Sequence, residues 1–481
     1  MDVLKNLNMF IQGLEKSYHD LEVVVLEHSK KRGSFSGKVG FVLSAAGASV
    51  GLGNIWRFPY LCARYGGGIF LAIYIILALT FGYTMIIAET AIGRHTKKSP
   101  VGAFSSFTNK KHMVFGGWIN AVIPIFIVPY YSVIGGWVCK YLYEYITADV
   151  NVIAADGFFT GFITNGAESE FWFLIFSLIV LLIIFMGVRR GIESVSKFMM
   201  PILAVLAVVI CVYSVTRPGA LEGVKYCLIP DLSRFSIMTF VSAMGQMFYS
   251  LSIAMGILIT FGSYVKKDVS IEQSTEQVEI FDTAIAVIAS LMIIPAVFAF
   301  SGGNPDTLKA GPSLMFITMP SIFASMGFGR VIGILFFLLV LFAAVTSAIA
   351  LLESAVSTFY DEFKWSRNLG TSIMGLIMVA LGSLSSLGYG PLGGVTIFGM
   401  QFLDFFDFLT NSIMMPIAAL FTCILIVRYM RIEMVEEEVE LGGHPFRRKK
   451  MFGFMIKYLC PLFVLIILVS SIASVLGLIQ I

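Results

Sequence analysis

Hydrophobic positions along this chain gather into eleven long blocks. They cover roughly 39–64, 69–92, 114–146, 171–187, 198–215, 238–264, 279–302, 328–360, 369–389, 395–429 and 452–480. About 20 apolar residues in a helix cross the hydrocarbon of a bilayer, so each block predicts a membrane-spanning helix. Several are longer, which implies tilt or extension past the membrane. One set of loops carries Arg94, Lys97, Lys98, Lys110, Lys111, Arg189, Arg190, Lys197, Lys266, Lys267, Lys364 and Arg367. The other holds only Arg217, Lys225, Arg234 and Lys309. That bias puts the amino terminus on the cytoplasmic side with the basic loops, and eleven crossings then leave Ile481 outside.

Two blocks are interrupted. Residues 47–58 read GASVGLGNIWRF, between the good membrane formers Phe41–Ala46 and Ile55–Tyr60. Gly47, Gly51 and Gly53 weaken a helix there, and Asn54 puts an amide into hydrocarbon. A second break is predicted at 250–256, SLSIAMG. Irregular backbone at membrane depth is tolerated only where it is buried in protein or lines a cavity. Spans 1–5 and 6–10 overlay as two halves, each opening with an interrupted helix. An odd number of spans per half forces opposite orientation, hence an inverted repeat with a binding site at the breaks. The expected divisions are 1–31, 32–215 (spans 1–5), 216–430 (spans 6–10) and 431–481 (a cytoplasmic loop and a peripheral span 11).

Residues 1–31 stand apart. Leu4, Leu7, Ile11, Leu14, Tyr18, Leu21 and Val25 keep a heptad spacing, which predicts a cytoplasmic amphipathic helix. Over residues 1–27 the net charge of −3 disfavours binding to anionic lipid. Docking on a basic face, or helix-mediated contact with a partner through residues 1–30, fits better; the plain alternative is a partly ordered tail. Glu433–Glu440 followed by Arg447–Lys450 is expected as a solvated loop with at most a short helix.

Composition narrows the class. Hydrophobic residues make up 57% of the 481 and charged ones only 13%, with mean hydropathy +0.87; this excludes an ordinary soluble domain. A net charge of +3 is too small to suggest nucleic acid. Cys62, Cys139, Cys211, Cys227, Cys423 and Cys460 form no CxxC; Cys227 falls in a loop, and the rest read as small core residues. His19, His28, His95, His112 and His444 lack metal-ligand spacing. No nucleophile–base pair or cofactor motif suggests an enzyme. No cleavable signal peptide is expected.

Polar residues inside the blocks are therefore informative. They are Asn54, Glu89, Ser250, Ser252, Asp282, Thr346 and Ser347. A carboxylate at mid-membrane costs roughly 2.5–3.5 kcal/mol on insertion scales, so it persists where a cation or several donors compensate it. Taken singly, each hydroxyl most simply bonds back to its own helix. Taken together beside two helix breaks, the oxygens of Asn54, Ser250, Asp282, Thr346 and Ser347, with carbonyls from the unwound helices, are the ligands a hard cation such as sodium prefers.

The segments GASVGLGNIWRFPY (47–60), GGG (66–68), YYSVIGGW (130–137), GQMFYSLSIAMG (245–256), GPSLMFITMP (311–320) and AAVTSAIALLES (343–354) resemble the neurotransmitter:sodium symporter family, in particular its bacterial LeuT-like amino-acid transporters. The likeness runs from about Arg32 to span 10. It implies an all-α membrane protein with a LeuT-like 5+5 inverted repeat, helices 1 and 6 interrupted, and eleven transmembrane helices. It also implies two sodium sites. The first would use the Ser49 carbonyl, Asn54, Ser250, Asp282 and the substrate carboxylate. The second would use carbonyls of Gly47, Val50 and Ala343 and the hydroxyls of Thr346 and Ser347. The substrate carboxylate would meet the Leu52 and Gly53 amides and Tyr131, its amine would meet carbonyls of spans 1 and 6, and Tyr131 with Tyr249 would form a lid. Ser49, Gly51, Ile127, Ser250, Ser252, Met255, Ser347 and Leu351 would complete the substrate site. Arg57 and Asp407, bridged by Gln246, would form an outer gate; Arg32, Asp361 and Tyr264 an inner one.

The chain departs from LeuT where Asp282 replaces Asn, Tyr249 replaces Phe, and Ala254–Met255 replace Gly-Phe, and in having eleven spans where twelve are usual. Asp282, near Tyr74, Gln246 and Ser250, would supply the negative charge that chloride supplies elsewhere in the family. No chloride is then expected, and the acid would exchange a proton as sodium leaves. Gly51, where monoamine carriers have Asp, leaves room for a substrate carboxylate. The resemblance thus implies sodium-coupled import of a neutral, hydrophobic or aromatic amino acid across the cell (inner or plasma) membrane. A proton-coupled carrier of the same fold would place a Lys near Thr346, and none is present. The paired gates argue against a channel and against an amino-acid sensor that does not transport.

Overall fold

The computed structural model describes residues 33–301, 311–475 and 478. The helix expected over residues 1–31, and the gate residue Arg32, lie outside the described residues. Two compact units are separated at Ser34, and the account below concerns the second, Phe35–Ile481.

Helices carry almost all of it. The first interrupted span is α1 (Lys38–Ser49) and α2 (Gly53–Arg64), bent by 54° at the break. There follow α3 (Gly68–Thr96), α4 (Lys111–Thr147), α5 (Gly166–Phe185) and α6 (Val188–Val215). The second interrupted span is α7 (Ile237–Ser250) and α8 (Ile257–Tyr264). The chain continues through α9 (Ile271–Ser301), α10 (Gly329–Glu362), α11 (Arg367–Leu387), α12 (Phe402–Met430), α13 (Ile432–Val439) and α14 (Lys449–Val475). By length and apolar character the described residues contain nine spanning helices, or ten with the bent pair α1/α2. The block expected over 238–264 adds none to that count, because residues 251–256 divide it into two short pieces.

Span boundaries differ from the sequence expectation where a helix runs on past its apolar block. Thus α6 begins at Val188, ten residues before the predicted 198, with a π-helical turn over Val188–Glu193. Arg189, Arg190 and Glu193 hide that turn from a hydropathy reading. Two further corrections concern loops. Cys227 lies in a helix, Ala220–Leu228, and is buried. The charged stretch after span 10 forms a short helix, α13, which exposes Glu433 and Glu437 but, unlike a solvated loop, buries Val435, Glu438 and Val439. Arg94 at the end of α3 donates from Nε to Glu438 at 2.7 Å and from Nη1 to the Val269 carbonyl at 2.6 Å. Glu272 accepts the backbone amides of Arg447 and Arg448.

The core centres on α4 and α10, which pack against one another more extensively than any other pair. The inner half-helix α8 lies directly on α3. A Cβ at Gly93 would fall 1.9 Å from the Ile259 carbonyl oxygen, and one at Gly262 would fall 2.4 Å from that of Thr90. Only glycine permits this backbone contact, the usual device where lipid supplies no hydrophobic drive between helices. Large apolar side chains such as Ile76, Leu178, Phe198, Val205, Leu376 and Val469 face outward. In α14 only 17% of the most apolar stretch is buried. A surface that apolar belongs in lipid.

Candidate functional site

Both helix breaks face one another at the centre of the helical bundle. In the first, α1 ends at Ser49 and α2 opens with a π-helical turn, Gly53–Arg57, leaving residues 50–52 between them. In the second, residues 251–256 leave the helix, with Ser252 at φ 53°, Ala254 at φ 60° and Gly256 at φ 69°. The left-handed region costs a non-glycine residue of order 1–2 kcal/mol, so something must hold Ser252 and Ala254 there. Ser252 Oγ donates to the Ala48 carbonyl at 3.0 Å. The Ala254 amide donates to Glu89 Oε1 at 2.8 Å. Each break is thus fastened by a partner far away in sequence.

Asp282 sits between the breaks, fully buried. Its carboxylate accepts from Asn54 Nδ2 at 2.8 Å, from Tyr74 Oη at 3.1 Å, and from Ser250 Oγ, which lies 3.1 Å from both oxygens. Asn54 Oδ1 in turn accepts the Gly51 amide at 3.2 Å. Three of the side chains expected around the first ion, Asn54, Ser250 and Asp282, therefore touch, and Tyr74 joins them. A negative group with donors from three separate helices is the arrangement that lets a charge persist in a low-dielectric interior.

A second group of oxygens converges one turn away. Ser347 Oγ lies 3.2 Å from the Gly47 carbonyl, 3.3 Å from that of Ala48 and 3.4 Å from that of Val50. Thr346 Oγ1 bonds back along its own helix, 2.9 Å from the Phe342 carbonyl and 3.2 Å from that of Ala343, and a Cβ at Gly47 would fall 3.0 Å from Thr346 Cβ. All five residues expected of the second ion site are thus contiguous, with the Ala48 carbonyl added. Such carbonyls and hydroxyls are the oxygen donors that suit a hard cation.

Between these groups is a cavity of about 30 Å³, about one water. Every residue expected to bind substrate lines it: Ser49, Gly51, Leu52 and Gly53 from the first break; Ile127 and Tyr131 from α4; Tyr249, Ser250, Ser252 and Met255 around the second break; Ser347 and Leu351 from α10. Tyr131 Oη accepts the Leu52 amide at 3.4 Å. No ionisable side chain is among them except the two phenols. A Cβ at Gly51 would fall 2.8 Å from Ser347 Oγ and 3.1 Å from Tyr131 Oη, and one at Gly53 would meet the Tyr249 ring at 2.6 Å.

Beyond Tyr131 and Tyr249 opens a larger cavity, about 350 Å³, whose lining includes Trp56, Arg57, Tyr60, Asp404 and Asp407. Arg57 stands over the Tyr249 ring, 5.3 Å from its centroid, and among the described residues makes no direct ion pair with Asp407. Asp407 is held by Tyr130 Oη at 3.2 Å and Asn411 Nδ2 at 2.5 Å. Gln246 does not bridge them either; it donates to the Gly53 carbonyl at 3.2 Å. At the opposite end, Tyr264 Oη donates to Glu353 at 2.6 Å, and Glu353 also receives both terminal nitrogens of Arg367, at 2.9 and 2.6 Å. Asp361 accepts the Ser99 amide at 2.5 Å.

Four residues of this architecture escaped the sequence reading as site members: Glu89, Tyr130, Glu353 and Arg367. Glu89 and Glu353 carried a usable signal, a carboxylate inside an apolar block. Their partners, a backbone amide on one side and an arginine past the end of α10 on the other, carried none.

Comparison with known proteins agrees with the geometry. The model of the sodium:neurotransmitter symporter family matches residues 32–156 and 160–478. The chain is 31% identical to the sodium-dependent transporter YhdH of Bacillus subtilis, over 91% of this chain and 97% of that one. It is likewise 31% identical to a sodium-dependent transporter of Haemophilus influenzae, over 92% and 99%. The human sodium- and chloride-dependent GABA transporter 2 is 26% identical, over 74% and 68%. Among solved structures, MhsT in complex with L-phenylalanine superposes with a TM-score of 0.82 at 36% identity, covering 92% of this chain and all of that one.

The grip of Glu89 on Ala254 is testable. Glu89→Ala leaves the Ala254 amide without an acceptor in a strained conformation, a loss of about 1–3 kcal/mol for a buried donor left unsatisfied. Ligand affinity measured by scintillation proximity should fall about tenfold or more, while Glu89→Gln, which keeps an acceptor oxygen, should retain most of it. Equal affinity in Glu89→Ala and the unaltered protein would refute the role of this bond.

Proposed function

The chain belongs to the sodium:neurotransmitter symporter family, and we propose that within this family of sodium-coupled membrane transporters it imports a neutral, hydrophobic or aromatic amino acid by alternating access. The observation that carries the reading is Gly51. Its missing side chain leaves the backbone of the first break facing Tyr131 Oη and Ser347 Oγ, where a substrate carboxylate can reach the Leu52 and Gly53 amides. A half-helix amino terminus favours an anion at that place. The remaining wall, Ile127, Tyr249, Met255 and Leu351, is uncharged, so a basic or acidic side chain would be desolvated without a partner. The bound L-phenylalanine of MhsT supports a ligand of this class here as well.

In this reading two sodium ions bind, one beside Asn54, Ser250 and Asp282, the other among Gly47, Val50, Ala343, Thr346 and Ser347. The first touches the substrate carboxylate, which couples the two. The small free volume means that Tyr249 and the half-helices must move apart to load an amino acid, and the vestibule above them, with Arg57 and Asp407 unpaired to one another, is the route in. The basic loops assign the amino terminus to the cytoplasm and the carboxyl terminus to the outside of a cell membrane. Two cations beside one carboxylate leave excess positive charge that a low-dielectric site must offset. Asp282 supplies the offset as a fixed group, so chloride is not needed.

Uptake into proteoliposomes should require a sodium gradient and should not run on potassium. Asn54→Ala should abolish substrate binding; full uptake in sodium-free buffer would sink the reading. In a competition screen Leu, Ile, Met, Val, Phe, Tyr or Trp should displace the bound ligand, and Gly51→Asp should remove all binding by setting a carboxylate against the substrate's own. Displacement by only Lys, Glu or a decarboxylated amine would contradict it. Replacing chloride by gluconate should leave uptake unchanged, whereas Asp282→Ser should make it slow and chloride-responsive. A strong fall in the unaltered protein on that replacement would overturn the assignment of Asp282.

A further inference from the structure

At its lower end α1 is fastened by a second acid that the transport scheme above does not use. Glu193 closes the π-helical turn at the start of α6 and is 1% exposed. Its Oε2 accepts the backbone amide of Ser36 at 2.8 Å, and its Oε1 accepts the Ser36 hydroxyl. Lys197, one turn along α6, donates to Glu193 Oε1 at 2.5 Å and to Ser36 Oγ at 3.0 Å. Lys266, just past α8, donates to the Ser36 carbonyl at 3.0 Å. The Phe35 amide donates to the Tyr264 carbonyl at 3.2 Å, and the Phe35 ring packs on Phe41, Phe261 and Tyr264. Every polar group of Ser36 is therefore held by another helix or its flank.

The helix itself offers nothing in place of this clasp. Gly37 at the amino-terminal cap of α1 has no side chain to cap with. The carboxylate lies so close along the first turn that a Cβ at Gly40 would fall 2.3 Å from Glu193 Oε1. A helix of 12 residues is marginal without tertiary contacts. Its upper end is tied to α10 through Ser347 and the carbonyls of Gly47 and Val50. Its lower end is tied through Ser36. For the central cavity to open toward the basic-loop side along α1, that end must part from α6 and α8, which breaks the Glu193 bonds together with those from Lys266 to Ser36 and from Phe35 to Tyr264.

We propose that Glu193 is a positioning residue for transport: by holding Ser36 against α6 it keeps α1 shut beneath the binding cavity and sets how often that side opens. The inference uses only the family's transport by alternating access and is independent of which amino acid is carried. Releasing the clasp shifts the population toward the state open beneath α1, and any ligand that favours the closed state then binds more weakly in proportion to the fall in the closed fraction.

The test is hydrogen–deuterium exchange of the full chain in detergent with sodium present. Glu193→Ala should raise amide exchange over residues 36–44 about tenfold or more, the loss expected for a charge-assisted bond. Exchange in α4 and the thermal midpoint should stay close to those of the unaltered protein. The sodium concentration for half-maximal uptake should rise several-fold. Gly40→Ala, which displaces the carboxylate sterically, should act in the same direction, and Glu193→Gln, which keeps one acceptor for the Ser36 amide, should lie between. Unchanged exchange over 36–44 in both Glu193→Ala and Gly40→Ala would overturn the proposal. So would a rise spread evenly over all helices with a lowered midpoint, which marks loss of general stability.

Discussion

A broken helix inside a bilayer frees backbone amides and carbonyls that no water can satisfy, and this structure is organised around that debt. Each free group costs several kcal/mol if left alone in hydrocarbon. Here the carbonyls of Gly47, Ala48 and Val50 face Ser347 and Ser252, the Gly51 amide finds Asn54, and the Ala254 amide finds Glu89. The same unmet groups form the proposed ligand sites, because a carbonyl ring without a helix partner suits a cation and an amide without one suits a carboxylate.

Buried acids do most of the fastening, and each grips backbone or a partner from a different helix. Glu89 holds the second break, Asp282 joins both breaks, and Glu193 holds the entry to α1. Glu353 ties Arg367 to Tyr264, and Glu438 receives Arg94. An acid with several donors tolerates burial, yet removing one donor leaves a charge that the interior cannot solvate. Glycine does the complementary work: at Gly93 and Gly262 it lets α3 and α8 touch along their backbones.

The cavities describe a single gradient of closure. The central space admits little more than a water, while the vestibule above the two tyrosines is about ten times larger. Arg57 over the Tyr249 ring and Asp407 among Tyr130 and Asn411 keep to separate walls of that vestibule. On the opposite side Tyr264, Glu353 and Arg367 are joined in one network. The chain is thus tight beneath the site and looser above it.

The membrane character, the two interruptions and the residues around the central cavity were all legible in the amino-acid sequence. The signals of the first two are local: apolar run length, glycines and an asparagine where a helix should continue, and polar residues where hydrocarbon should be; the cavity residues Ile127, Tyr131, Tyr249, Met255 and Leu351 came from the family resemblance. Whatever depended on pairing over long separations was decided by tertiary structure alone. Asp282 meets Asn54 across 228 positions, Ser36 meets Glu193 across 157, and Arg94 meets Glu438 across 344. No spacing rule links such pairs, so the stretch around Glu438 reads as a solvated loop until α3 is seen beneath it. Gln246, Arg57 and Asp407 are each visible in the chain, but that they touch the Gly53 carbonyl, the Tyr249 ring and the Tyr130–Asn411 pair follows from how separate helices pack, which no single segment encodes.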